Sequence, residues 1–558
     1  MTAADQVPAA ATRDTRAERT PGRLPVPAEG YTGFAAMLRL VLRRNRVRLG
    51  VWVVALAGTY QYIVSYYRSV FPDQQSLDDF AALSDTPGIK ALTGLSPAAS
   101  TMGGAVWTKG WMTVVLALAM GAVFLVTRSG RADEEAGRTE LLRSRVLGIH
   151  AYSIAAWLVT GALCVVVGVL ITIVSIGGSL DPAGTGVTGS LILGASVVGV
   201  GLVGVGVGAV AGQLSSTARG ANSLGSGIIV GLYVLRMIGD MGNGALTWLS
   251  PIGWGAQMQP YAGNRWWPFL LLLVLTTVLL VGASQLEARR DFGAGLLPQR
   301  PGKAQAPARY ATPLGLALRM QRNPIIGWTA AVVLGEALMG SVVEAMTDLL
   351  ADAGAGAESL LRGTGVTALL ALLVSMMALI TVVFALQTTV SLRSDEASGI
   401  IEPQLAGALS RRRWTLERLA IPVVWSAVLL ALGGFVIGEV YGGSIHDSAQ
   451  GGRLALAALA YWPAVMVFVG LAVLLWGYVP RVAIPTAWGV MAAIWFVTMF
   501  GEVFRLPAWV LDALPLSATP YAPLEPIDWT PLIIMTLLAL ALTSLGVDRF
   551  SRRDVRPA

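Results

Sequence analysis

Long apolar runs separated by short polar stretches dominate the sequence. A bilayer core is about 30 Å thick, so a helix needs roughly 20 apolar residues to cross it. Such runs lie near 49–67, 106–127, 151–176, 189–213, 222–239 and 267–285, and again near 325–346, 364–390, 419–440, 454–476, 483–501 and 530–546. The pattern predicts an all-α polytopic membrane protein with about twelve transmembrane helices in two sets of six.

The composition is typical of the same class. The 558 residues are 54% hydrophobic and 13% charged, with a mean hydropathy of +0.64, whereas soluble proteins contain about 25% charged residues. A single cysteine, Cys164, excludes a disulfide within the chain and a cysteine-based metal site. Two histidines, His150 and His446, leave little scope for histidine–metal chemistry, so we expect no metal site.

Arginines concentrate in alternate loops, and the other loops carry mainly aspartate and glutamate. The positive-inside rule places the arginine-rich loops and both termini in the cytoplasm. This bias explains the sequence pI of about 9.7 without a nucleic-acid partner. Residues 1–30 lack the apolar core of a signal peptide, and we interpret them as a disordered cytoplasmic tail. The expected location is the bacterial plasma membrane.

A displacement of 262 positions aligns the two sets of spans. Arg131, Asp133, Glu134, Gly137 and Glu140 then coincide with Arg393, Asp395, Glu396, Gly399 and Glu402. After one residue of slippage, the sequence ARRDF at 288–292 coincides with SRRDV at 551–555, and the pair Arg44-Asn45 has a counterpart in Arg322-Asn323. We predict two halves, 31–292 and 311–558, joined by a cytoplasmic linker at 293–310. Because each half has an even number of spans, the repeats are parallel, with a pseudo-twofold axis along the membrane normal.

The repeated charged segment lies between the second and third spans of each half. The acidic run Asp133–Glu135 suits the first turn of a helix, basic residues suit the last turn, and Gly148 suits its end. We predict one short cytoplasmic helix there and another from Asp395 to about Ala408, with Pro403 in its first turn or at a kink. The positive-inside rule explains the arginines but not the repeated carboxylates. The segment is therefore interpreted as a docking helix for a cytoplasmic partner, presented twice.

An amphipathic segment precedes the first span. Phe34, Met37, Leu38, Val41 and Leu42 recur at helical spacing, with arginines on the opposite face. This pattern predicts a helix that lies in the cytoplasmic interface of the bilayer and leads into the first span.

Six spans per half, the amphipathic helix and the acidic loop after the second span resemble an ABC-2 type exporter permease. The double length is similar to actinobacterial permeases of polyketide and ionophore antibiotic exporters, such as the tetronasin exporter. In that family the loop after the second span forms a coupling helix that engages a separate ATPase subunit. The resemblance implies that the coupling residues are Arg131, Asp133, Glu134, Gly137 and Glu140 in one half, and Arg393, Asp395, Glu396, Gly399 and Glu402 in the other. Glu135 has Ala397 as its counterpart and receives no role.

The chain has no P-loop, which requires a lysine followed by serine or threonine. Its three lysines, Lys90, Lys109 and Lys303, are followed by Ala, Gly and Ala. We therefore expect a transport subunit that is not itself an enzyme and holds no cofactor. ATP and Mg²⁺ would be bound by two copies of a cytoplasmic ATPase. The resemblance further implies export of small hydrophobic or amphipathic compounds.

Three side chains within the spans are candidates for the substrate path. Glu336 lies deep in the seventh span, where an ionised carboxylate costs about 2.5–3.5 kcal/mol, and it should face a partner or a wet cavity. Trp107 and Trp111 flank Lys109 and either line an outer vestibule or anchor the helix in the interface.

In the fourth span, glycines at four-residue spacing, Gly204, Gly208 and Gly212, predict close helix packing.

Two other classes of protein compete with the exporter. A proton- or sodium-driven secondary transporter also commonly has two six-span halves, but it needs ionisable groups inside the membrane, and Glu336 is the main one here. A membrane-embedded enzyme acting on lipid intermediates would need clustered polar groups at the membrane face. The two isolated histidines argue against that class.

Overall fold

The computed structural model describes residues 30–84, 94, 97–143, 147–242, 244–291, 293–297, 305, 307, 310, 312–352, 364–500, 507, 509 and 513–555. Helices and turns make up the regular structure of this described part. The chain divides into two compact units. Unit 1 lies within Met1–Ser84 and Thr93–Arg300, and unit 2 lies within Asp85–Leu92 and Pro301–Ala558.

Unit 1 contains long apolar helices joined by short ones. Its helices are α1 Phe34–Val70, α2 Gln74–Ser84, α3 Met102–Arg128, α4 Arg131–Glu135, α5 Arg138–Arg143, α6 Ala151–Gly177, α7 Thr188–Leu214, α8 Ala218–Met241, α9 Pro251–Ala256 and α10 Trp267–Arg289. A 3₁₀ turn, Leu246–Leu249, precedes α9. The core of unit 1 is centred on α3 and α7, whose membrane segments are 72% and 78% buried.

Unit 2 has a comparable set of helices. They are α11 Pro313–Asp352, α12 Thr364–Ala397, α13 Ile401–Leu405, α14 Arg411–Ile445, α15 Gln450–Leu459, α16 Trp462–Tyr478, α17 Ala483–Phe500 and α18 Trp529–Arg552. The predicted tenth span is thus two helices, α15 and α16. Pro463 lies in the first turn of α16, where its missing N–H costs no hydrogen bond.

The prediction of an all-α polytopic membrane protein is confirmed. Among the described residues, eleven helices are long and apolar enough to cross a membrane. The twelfth predicted span, 483–501, coincides with α17, whose apolar stretch Ala483–Thr498 is shorter. The parallel arrangement of the two repeats stays a prediction.

The amphipathic segment leads into the first span, as predicted, and the two form the single 37-residue helix α1, about 55 Å long. Its apolar face is buried against α6, where Met37 and Val41 cluster with Ala155 and Val159. Protein, rather than the bilayer interface, therefore covers this face.

The glycines of the fourth span have the predicted packing role at two of three positions. A Cβ on Gly204 would lie 2.8 Å from Ala119 Cα, and one on Gly208 would lie 2.9 Å from Val123 Cα. Helices α7 and α3 therefore approach too closely there for any side chain. Gly212 has open space at its Cβ position.

Candidate functional site: the two charged segments

Each charged segment is interrupted at a glycine, and the prediction of one continuous helix is wrong. In unit 1, Gly137 has φ +70° and separates α4 from α5. In unit 2, Gly399 has φ +72° and separates the end of α12 from α13. The left-handed region suits glycine because it has no Cβ. Pro403 lies in the first turn of α13, as the sequence predicted.

A buried ion pair holds the first segment to the end of the last helix of its unit. Glu134 accepts hydrogen bonds from both terminal nitrogens of Arg290, at 2.7 and 2.6 Å. It also accepts from the backbone N–H of Gly293 at 2.8 Å and from Arg131 at 3.1 Å. The Glu134 and Arg290 side chains are 6% and 7% exposed. This two-point geometry is the strong form of a carboxylate–guanidinium contact.

The second segment contains the same pair at equivalent positions. Glu396 accepts hydrogen bonds from both terminal nitrogens of Arg553, at 2.6 and 2.8 Å. Arg393 lies 3.5 Å away, in the place that Arg131 holds in unit 1. Trp476 adds an indole hydrogen bond of 2.7 Å. The repeat comparison had already aligned Arg290 with Arg553, but it gave no sign that these arginines hold the acidic segment.

The neighbouring aspartates take their cations from different helices. Asp133 is bound by Arg44 of α1, by Arg138 at 3.0 Å and by the Tyr152 hydroxyl at 2.5 Å. Asp395 is bound by Arg418 of α14. The first segment is therefore tied to α1, and the second to α14.

A second contact shows which residues of α1 and α11 occupy equivalent positions in the two units. The Asn45 amide donates to the Ser129 hydroxyl at 3.1 Å, and the Gln321 amide donates to the Ser391 hydroxyl at 3.0 Å. Ser129 and Ser391 are 262 positions apart, so Gln321 takes the part of Asn45. The sequence match of Arg44-Asn45 with Arg322-Asn323 is therefore not the structural one, and Asn323 is exposed.

In the corrected register, Met320 stands where unit 1 has Arg44. Arg418 approaches the Met320 sulfur at 3.4 Å. Because methionine carries no charge, the guanidinium that neutralises Asp395 comes from α14 instead.

Glu135, to which the sequence gave no role, contacts the start of another span. Its carboxylate accepts the backbone N–H of Ala218 at 2.8 Å, at the first residue of α8. A carboxylate at a helix N-terminus is favoured by the unpaired N–H groups and the helix dipole. Ala397, its counterpart, has no group that makes such a bond.

The charged residues among the predicted coupling residues differ in exposure, and Arg393 and Asp395 are half-buried. Arg131, Asp133, Glu134 and Glu396 are buried with partners inside their own unit, whereas Glu140 and Glu402 are exposed. Contact of any of them with an ATPase stays a prediction. In this structure the buried members brace the segment, and the two exposed glutamates are free to meet another molecule.

The space beneath the two segments differs in chemistry. In unit 1 a cavity has a mainly apolar lining that includes several polar side chains, among them Thr139, Gln213 and Glu287. Glu287 accepts a hydrogen bond from the Ser153 hydroxyl at 2.5 Å. It also accepts one from His150 at 2.9 Å when Nδ1 of His150 carries a proton.

In unit 2 the equivalent residues are apolar. Ile401, Leu475 and Phe550 stand where unit 1 has Thr139, Gln213 and Glu287. Phe550 is fully buried and stacks on Trp476 with ring centroids 4.1 Å apart. Apolar and aromatic side chains thus occupy the three positions that carry polar side chains in unit 1.

The tryptophans proposed for the substrate path lie in the core of unit 1. Trp107 and Trp111 are 2% and 0% exposed, and their rings stack at 5.3 Å. The Trp111 indole donates to the Ser196 hydroxyl at 2.7 Å. Both side chains therefore pack inside unit 1 in this structure, and a place for them in the substrate path stays a prediction.

Glu336 is a buried carboxylate with no oppositely charged partner among the residues that the structure describes. It is 6% exposed and lies in α11 beside Val332, Met377 and Gly433. Within the part of the chain that the structure describes, no side chain pairs with it. It therefore remains a candidate for the substrate path.

These features define a polytopic membrane protein whose two charged segments are braced by the helices around them. Residues 310–551 match the family described as "Multidrug efflux system permease Rv1217c, C-terminal domain". Over 552 residues the chain is 36% identical to the multidrug efflux system permease protein Rv1217c of Mycobacterium tuberculosis. The aligned region covers 97% of this chain and 98% of that protein. The chain belongs to this family of multidrug efflux permeases.

Proposed function

We propose that this chain is the membrane-spanning subunit of an ATP-driven exporter of hydrophobic or amphipathic compounds, including drugs and antibiotics. The family supports a permease of a multidrug efflux system. The resemblance to ABC-2 type exporters implies that ATP hydrolysis is the energy source and that the compounds move out of the cell. Two copies of a separate cytoplasmic ATPase provide the ATP and Mg²⁺ sites that this sequence lacks.

The repeated bracing of the charged segments is the observation that carries the proposal. A segment that receives force must be stiffly attached to the helices it moves. Glu134 and Glu396 provide that attachment, and Glu140 and Glu402 remain exposed beyond it. ATP binding closes the ATPase dimer and displaces the two segments. The spans follow, and the substrate cavity changes its access from the cytoplasm or inner leaflet to the outside.

Purification of the tagged chain with its ATPase tests the partner. We expect two ATPase copies for each permease chain, as measured by native mass spectrometry. A complex with one copy for each chain contradicts the proposal.

Removal of the exposed carboxylates tests the coupling surface. The double variant Glu140→Gln, Glu402→Gln should lower the amount of compound transported per ATP hydrolysed, with the chain still folded. Asp291→Asn, an exposed carboxylate outside both segments, is the matched control. Wild-type coupling in the double variant would assign the contact to other residues.

Glu336 gives a specific reason to keep a proton-coupled secondary transporter as the second candidate. A buried carboxylate that lacks a cation among the described residues is suited to bind and release a proton. Transport in inverted vesicles separates the two functions. ATP-dependent transport that persists with an uncoupler supports the ABC exporter, and transport that collapses with the proton gradient and in Glu336→Gln supports the secondary transporter.

A further inference from the structure

Arg290 and Arg553 occupy the same structural position in their units. Each is the first residue after the last span, directly following α10 and α18. Each has an extended backbone, with φ/ψ of −93°/149° and −95°/158°, and donates its N–H to the carbonyl four residues back. The two arginines therefore project from equivalent helix ends in the same way.

Each arginine also contacts the end of another span. Arg290 donates from Nε to the Gln213 side chain at 2.5 Å, near the end of α7. Arg553 donates to the backbone carbonyl of Trp476 at 3.3 Å, near the end of α16. A single guanidinium thus joins the charged segment, the last span and a third helix.

This junction is the same in both units although its surroundings are not. In unit 1 it is surrounded by backbone carbonyls and polar side chains, with Arg131 donating to Ser216 and Gly293. In unit 2 the guanidinium lies over the rings of Trp476 and Phe550, at 5.7 and 5.2 Å from their centroids. Aromatic packing alone could hold the helices of unit 2 together, yet the buried ion pair is still present there. Stability alone does not require the buried ion pair, because such pairs often stabilise a fold no more than apolar packing does.

We propose that Arg290 and Arg553 are positioning residues that transmit the displacement of each charged segment to the last span of its own unit. Helices α10 and α18 are then the elements driven in each transport cycle. This rests on the proposed function, since it specifies where the force from the ATPase goes. The planar guanidinium suits the task because its two-point bond resists both rotation and translation of the carboxylate.

Replacement of the two arginines tests transmission. In inverted vesicles that contain the chain and its ATPase, the probe is ethidium, a lipophilic cation, and both its uptake and ATP hydrolysis are measured. Arg290→Gln and Arg553→Gln should lower ethidium transported per ATP by about two- to thirtyfold, the range for residues on a coupling network, while ATP turnover changes less. Arg290→Lys should show a milder loss, because lysine keeps the charge without the two-point bond.

The adjacent arginines are the matched controls. Arg289 and Arg552 belong to the same Arg-Arg-Asp triplets but are exposed, so their glutamine variants should couple normally. The charge-swapped double variant Glu134→Arg, Arg290→Glu should regain part of the lost coupling. The inference is overturned if transport and ATP turnover of the Arg290 and Arg553 variants fall in parallel or remain at wild-type values.

A distance measurement supplies a readout that is independent of transport. Spin labels at the exposed positions Ala136→Cys and Gln285→Cys, in a Cys164→Ala background, report the separation of the segment from α10. The separation should stay constant with and without trapped ATP in the wild-type sequence, and it should change in Arg290→Gln. A nucleotide-dependent change in the wild-type sequence would overturn the inference. Failure of the wild-type permease chain to bind an ATPase would instead contradict the proposed function.

Discussion

The two charged segments preserve one ion pair and exchange another. Glu134–Arg290 and Glu396–Arg553 occupy equivalent positions with nearly equal distances. Asp133, in contrast, takes its cation from α1, and Asp395 takes it from α14. The buried negative charge is compensated in both units, but the helix that supplies the compensation has changed.

Some contacts of the charged segments need only a nearby opposite charge, whereas others need a charge on one particular helix. A neutral Met320 at the place of Arg44 is tolerated because Arg418 supplies a guanidinium nearby. A bond that must connect two particular helices cannot be replaced in this way. The preserved Glu–Arg pair is of that second kind.

The largest expected effect comes from the shared pair. Glu134→Gln and Glu396→Gln each leave a buried guanidinium without its counter-ion, which costs about 3–5 kcal/mol of unfolding free energy. Thermal unfolding in detergent should show a similar loss for both variants. A loss confined to one unit would show that the pair is not equivalent in the two halves.

The Asp395–Arg418 ion pair of unit 2 should be replaceable by the arrangement that unit 1 uses for Asp133. Arg418→Ala removes the guanidinium that binds Asp395 and should cost somewhat less than loss of Glu396, because the Asp395 side chain is 13% exposed, against 0% for Glu396. Adding Met320→Arg rebuilds the arrangement of unit 1 and should recover at least half of the loss, measured by the same thermal unfolding. No recovery would mean that α11 cannot present a guanidinium as α1 does.

The cavity of unit 1 should accept the apolar residue that unit 2 has in place of Thr139. Thr139 is 7% exposed, and its hydroxyl has no hydrogen-bond partner among the described residues. Thr139→Ile removes a buried unsatisfied group and should raise the unfolding free energy by about 1 kcal/mol. The reverse change Ile401→Thr should lower it by about 1–3 kcal/mol. Destabilisation by Thr139→Ile would show that the cavity must stay open.

The smallest expected effect concerns the unmatched Glu135. Its bond to the α8 N-terminus is exposed, so Glu135→Ala should cost only about 0.3–1 kcal/mol. The loss should shrink further at high salt because exposed charge interactions are screened. A loss independent of salt would indicate packing rather than the helix dipole.

The sequence predicted the class of fold and the position of the site. Apolar runs located eleven membrane helices because the length of a spanning helix is set by bilayer thickness, a property of the solvent. The 262-residue displacement located both charged segments, and one further residue of slippage aligned Arg290 with Arg553. It could not show that these arginines bind the glutamates, because residues 156 and 157 positions apart meet only through the packing of the helices between them.

Other features were decided by the tertiary structure. Helical periodicity identified the apolar face of α1 but not its cover, since lipid and the α6 surface satisfy the same pattern. The Arg-Asn dipeptides suggested a register that the Gln321–Ser391 bond corrects. By itself, the sequence determined where the chain meets the membrane and where its charges repeat, because local composition sets both. Only the folded chain decided which charges pair, because pairing depends on which distant helix ends come within hydrogen-bond distance.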